Sequence, residues 1–127
     1  MLKSKEKKFF ADTAWGISRL SACPVQRGAT LIRDSQLTST GYNRKIISSK
    51  QWEISAIYDA VFSAKHEDLS ESTLFSTCFP AFNDMTLIIA VGVSTLYFFG
   101  EMGDLDTVEL INELPKNKIP FEIIHLK

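Results

Sequence analysis

Cysteine and histidine are scarce in this chain of 127 residues, with two of each. Cys23 and Cys78 cannot build a disulfide framework, so a reduced, cytoplasmic setting is the simpler expectation. Charge of one sign is missing too. The 14 Lys and Arg nearly offset the 15 Asp and Glu, for a net charge of −1. That leaves no field to draw the chain to nucleic acid or to an anionic membrane. The apolar runs at 87–91 and 96–99 are far too short to span a bilayer. Lys3, Lys5, Lys7 and Lys8 are followed by neither an apolar signal core nor a small-residue cleavage site. No repeat, low-complexity tract or linker is visible. What remains is an ordinary soluble composition, 45% hydrophobic and 23% charged. The expectation is a single domain over residues 1–127.

The stretch at 51–64, QWEISAIYDAVFSA, reads as a central helix. Ile54, Ile57, Tyr58 and Val61 form one apolar stripe. Ala56, Ala60 and Ala64 form a second, where a neighbouring element can approach closely. Ser48 and Gln51 have capping-box spacing, which puts Glu53 in the first turn. Before it, residues 5–20 read as a helix on Phe10, Ala14, Ile17 and Leu20. Residues 29–32 and 37–40 read as strands of an antiparallel hairpin, joined by the polar turn 33–36. The loop 44–50 then feeds the central helix. After it the pattern alternates: a strand at 73–78, a helix to about 91 capped by Asn83 or Asp84, and a strand at 95–99. A helix follows, with Asp106 and Glu109 at capping-box spacing, and then a strand at 121–126. Strands separated by helices should run parallel with right-handed crossovers. The expected fold is α/β in three layers (α/β/α), with a mixed five-stranded sheet begun by a hairpin and completed by parallel strands.

This order resembles the cytidine deaminase superfamily, and most of all its deoxycytidylate deaminase branch. The pieces that carry the resemblance are Phe10-Ala11, Ser21-Ala22-Cys23-Pro24, Gly28-Ala29-Thr30-Leu31-Ile32 and Ser39-Thr40-Gly41-Tyr42-Asn43. They continue in Glu53-Ile54-Ser55-Ala56-Ile57, Thr73-Leu74-Phe75-Ser76-Thr77 and Pro80. The resemblance implies a Zn²⁺ held where two helix N-termini converge, by a His or Cys and a Pro-Cys-x-x-Cys turn. A Glu two residues after the first ligand shuttles the proton. Carried onto this chain, the first ligand falls on Gln51, the shuttle on Glu53, and the cysteines on Ala81 and Asp84. Glu53 and Pro80 match. None of the usual ligands does, and Trp52 replaces a small residue of the motif. Ala81 offers no donor and Gln51 only a neutral amide, so Asp84 alone can ligate. The expectation is no zinc cofactor and a deaminase-like pseudoenzyme, with Glu53 a vestigial shuttle.

Several residues keep two readings. Asn43 matches the family residue that reaches the nucleotide's sugar, or it satisfies its own turn. Glu53 bonds a base, or it favours the helix dipole. Gln51, Trp52 and Ala81 complete the candidate nucleotide-binding set. Cys78 with Asp84 and Glu53 rebuilds a metal site, or it is an inert buried thiol. Arg33, Arg44, Lys45 and Lys50 gather at the pocket mouth for phosphate, or they are scattered surface charge. His66 reads as a solvated helix end, and His125 has no partner visible in sequence. The resemblance also implies assembly through the helices beside the site, as a homo-oligomer or with an active deaminase. The first functional expectation is binding to such a partner, with nucleotide binding second. The alternative is a (deoxy)cytidylate-type hydrolase with a rebuilt metal site.

Overall fold

A computed structural model describes residues 2–46, 52–65, 68–114 and 120–126. The chain opens with α1 (Ser4–Ser18), whose Phe10, Ala11, Ala14 and Ser18 turn inward. The hairpin follows as β1 (Gly28–Arg33) and β2 (Gln36–Tyr42). Its turn is tighter than expected, because Asp34 and Ser35 take φ of 53° and 62° and Arg33 pairs with Gln36. That is the two-residue turn whose twist suits flanking strands, and Asp tolerates the left-handed region. Next come β3 (Arg44–Lys45), β4 (Glu53–Ile54) and α2 (Ala56–Ser63). The alternating part is β5 (Thr73–Ser76), α3 (Phe82–Ala90), β6 (Thr95–Phe99), α4 (Leu105–Glu113) and β7 (Glu122–Leu126).

The main sheet has five strands in the order β2-β1-β5-β6-β7. β1 is antiparallel to both β2 and β5, and β5, β6 and β7 are mutually parallel. This is the expected mixed sheet. One core lies between the sheet and α2 and α3, around Leu31, Leu74, Met85, Ile88, Leu96 and Phe98. The other lies under α1, around Phe10, Ile32, Phe75 and Tyr97.

Two glycines set how tightly the helices sit on the hairpin. A Cβ on Gly28 would lie 2.8 Å from Ser18 N of α1, and one on Gly41 would lie 2.9 Å from Ala60 Cα of α2. Both are too close for any real side chain. The alanine stripe therefore does what its spacing suggests: Ala56, Ala60 and Ala64 are all buried, with the β2 backbone lying against Ala56 and Ala60.

The central helix is shorter than expected. It begins at Ala56, after an N-cap at Ser55 whose hydroxyl accepts from Tyr58 N at 3.0 Å. Ser55 stops the helix from extending backwards, and residues 53–54 pair instead with β3 in a small antiparallel ladder. Ile54 of the expected stripe is thus on a strand. The Ser48–Gln51 capping box lies outside the described residues. The other caps shift as well. Ala81, not Asn83 or Asp84, is the N-cap of α3 and makes no side-chain cap bond. Asp104, not Asp106, caps α4 by accepting from Thr107 N and Oγ1, both at 2.8 Å.

Candidate functional site

β5 ends at Ser76, and the chain turns through Cys78 and Pro80 into α3. The N-termini of α2 and α3 meet beside this turn. Asp84, in the first turn of α3 and 8% exposed, accepts a 2.7 Å hydrogen bond from Ser55 Oγ. One hydroxyl therefore caps α2 and binds the carboxylate of α3, stapling the two helix ends together. Burial pushes the Asp84 pKa above its ordinary value. The Ser55 bond, a bond from Ala81 N and the charge of Arg27 oppose that rise without cancelling it.

Arg27 lies in the loop before β1, and its Nη1 is 3.5 Å from Cys78 Sγ. Asn43 holds this loop in place. The buried Asn43 Oδ1 accepts from Arg27 N at 2.9 Å, and its Nδ2 donates to Val25 O at 2.7 Å and to Glu53 Oε1 at 3.1 Å. The Asn43 carbonyl accepts from Ser21 Oγ at 2.7 Å. The amide's two hydrogens and one lone pair are thus engaged within the protein.

Glu53 is brought to Asn43 but not into a helix. It is an exposed residue of β4, opposite Lys45 and two positions before the cap of α2. Trp52 is 60% exposed, and its carbonyl accepts from Ile46 N at 3.0 Å. Phe79 is buried edge-on against Phe98, with ring centroids 5.0 Å apart, while Phe82 is 39% exposed. Gln51 lies outside the described residues, as do Lys50 and His66.

Among the described residues, Arg33 and Arg44 do not converge. Arg33 pairs with Asp68 at 3.6 Å at the far end of β1, and Arg44 pairs with Asp59 at 2.6 Å. Cys78 is half-buried rather than fully buried, and Cys23 is buried. His125 does have a partner, the ring of Phe98 stacked at 4.9 Å. Sequence reasoning passed over Ser55 and Arg27 as site residues. Ser55 carried a signal, being an N-cap residue type directly before an apolar helical run. Arg27 carried none.

Among the described residues, the donors beside this turn do not suit Zn²⁺. Ala81 has only a methyl group, Asp84 is taken up by Ser55, and the thiol of Cys78 faces a guanidinium. Among the described residues, no group of three His, Cys, Asp or Glu side chains could hold a metal ion.

No protein-family model matches the chain, and no curated protein matches it. Solved structures do. A dCMP deaminase from the cyanophage S-TIM5 in apo form matches with a TM-score of 0.82 at 19% identity, over 98% of this chain and 100% of that one. That deaminase in complex with dCMP and dUMP matches at 0.81 and 18%, over 99% and 100%. A structure from a study of tRNA A34 deaminases matches at 0.73 and 17%, over 95% and 99%. The chain has the deaminase fold. Among the described residues no helix is long and apolar enough to cross a membrane.

Proposed function

We propose that this protein keeps the deaminase fold without deaminase chemistry and acts by binding, through self-association or a partner subunit. The observation that carries the reading is the Ser55–Asp84 hydrogen bond of 2.7 Å. It joins the two helix ends that the resemblance would join through zinc. Without a metal, no bound water is activated near neutral pH. Glu53, bonded to Asn43 Nδ2, then has no activated water to take a proton from. A rebuilt metal site finds less support, because Arg27 beside Cys78 places a fixed cation where a second cation would have to enter.

Nucleotide binding is a second role, supported by the place of Asn43 and Glu53 side by side and by the similarity to a dCMP deaminase solved with dCMP and dUMP. Three measurements on the purified chain test the proposal together. Metal analysis after zinc dialysis should find far less than one zinc per chain, and incubation with dCMP should release no ammonia. Sedimentation velocity should show a concentration-dependent oligomer. Stoichiometric zinc with ammonia release overturns the pseudoenzyme reading. A monomer at all concentrations leaves dCMP calorimetry to decide for or against nucleotide binding.

A further inference from the structure

Among the described residues, the large apolar side chain most open to solvent is Leu105, at the first position of α4 and 85% exposed. Glu109 follows one turn later on the same helix face. Beside them an open groove of about 490 Å³ runs between α4 and the start of α3, its lining including Phe82, Leu110, Asp106 and Glu109. Phe82 is exposed, and so is Met102 in the loop before α4. Apolar residues scattered singly over a surface are ordinary, whereas several gathered around one groove with a polar rim mark a docking surface.

Charge decides what fits there. Residues 67–115 carry nine acidic residues and no Lys, Arg or His. The groove is therefore apolar with an acidic rim, and its complement is an apolar knob with a basic rim. This chain carries such a knob. The outward face of α1 presents Phe9, 62% exposed, one turn after Lys5 and next to Lys8, all three open to solvent. Four of the first eight residues are Lys and one is Glu. Lys5 makes no ion pair among the described residues. Lys8 is held by Asp12 at 2.8 Å, but both side chains are well exposed, so that pair exchanges readily. The two surfaces lie on opposite faces of the sheet. Phe10 and Ala14 of α1 pack with Phe75 and Tyr97, while Leu110 and Ile111 of α4 pack against the core beneath α2 and α3. They cannot meet within one molecule, but they can meet between two. A net charge of −1 sets little general repulsion against that.

We propose that the α3–α4 groove receives the start of α1 from a second copy of this chain, with Phe9 between Phe82 and Leu110 and Lys5 against Asp106 and Glu109. This rests on the reading that the protein acts by binding, and names the surface that does it. The contact joins two different surfaces, so it builds rings or open chains of copies. Sedimentation velocity of the full chain tests it. Association should weaken as salt rises from about 0.1 M to about 1 M, where the screening length falls from about 10 Å to about 3 Å. Lys5→Glu and Glu109→Lys should each weaken it about tenfold, and Phe9→Ser severalfold, with circular dichroism showing all three folded. Mixing Lys5→Glu with Glu109→Lys should restore association, because Lys5 of one variant still meets Glu109 of the other. A variant that had merely lost its fold would not be rescued this way. Oligomers that neither charge variant weakens overturn this contact and leave the binding reading in place. A chain that stays monomeric at all concentrations overturns both the contact and self-association. A monomer that binds added polylysine assigns the groove to a different, basic partner and likewise overturns the proposal.

Discussion

Replacing Ser55 by Ala removes a single hydroxyl and two hydrogen bonds, and their loss can be worked through. The bond from Tyr58 N to Ser55 Oγ, at 3.0 Å, is the N-cap of α2. Losing such a cap costs about 1 kcal/mol. The bond from Ser55 Oγ to Asp84 Oδ1, at 2.7 Å, goes to a carboxylate that is only 8% exposed. A hydrogen bond to a charged group contributes about 1.5–3 kcal/mol. Together the variant should lose about 2–4 kcal/mol at pH 7, a fall in Tm of about 10 °C for a domain of this size. Urea unfolding followed by circular dichroism measures it. The pH dependence gives a second handle. Burial holds the folded pKa of Asp84 above its ordinary 3.8. The folded state therefore binds the proton more readily than the unfolded one, and this group's contribution falls as pH rises from 3.8 through the folded value. Without Ser55 the charged form is still worse off, so the deficit of the variant should be largest above the folded pKa and shrink on acidification toward pH 4. A deficit below about 1 kcal/mol at pH 7, or one that stays constant with pH, would refute the staple.

Other consequences follow from the same contacts. Asp84→Asn removes a desolvated charge but keeps an acceptor for Ser55, so its urea midpoint at pH 7 should equal or exceed that of the parent; a clear loss would show that the charge itself is needed. Gly41→Ala drives a methyl into the backbone of Ala56 and Ala60 and should cost about 3 kcal/mol or more by chemical denaturation. A loss under about 1 kcal/mol would mean that the α2–β2 contact can relax. Asp104, whose pKa is lowered by its bonds from Thr107, stabilises α4 above pH 3.8 and stops doing so as pH falls through its folded value. The gap in urea midpoint between the parent and Asp104→Ala should therefore close in acid. Finally, the triple variant Gln51→His, Ala81→Cys, Asp84→Cys restores the ligand types that the resemblance requires, and should retain stoichiometric zinc through dialysis where the parent does not.

Much of this protein could be read from residue order. Hydrophobic periodicity and turn chemistry are local properties, so the alternation after residue 73 emerged with the right strand directions. The four-residue spacing of Ala56, Ala60 and Ala64 announced a close neighbour, because side chains four apart share a helix face. That Ala81 and Asp84 stand where the resemblance places cysteines was likewise a matter of donor chemistry, which needs no coordinates.

Tertiary structure decided where the central helix starts and which groups meet where the N-termini of α2 and α3 converge. Ser55 as a cap and Ser48 as a cap satisfy the same local rule. Only the pairing of Arg44–Lys45 with Glu53–Ile54 shows that Glu53 and Ile54 belong to a strand and that α2 begins after Ser55. Arg27 reaches Cys78 across 51 positions of sequence, and Ser55 reaches Asp84 across 29. No window of sequence holds such pairs. They exist because the sheet places the start of β1 beside the end of β5 and leads two helix N-termini to that same edge, where charge and hydrogen bonds are then shared by neighbours in space.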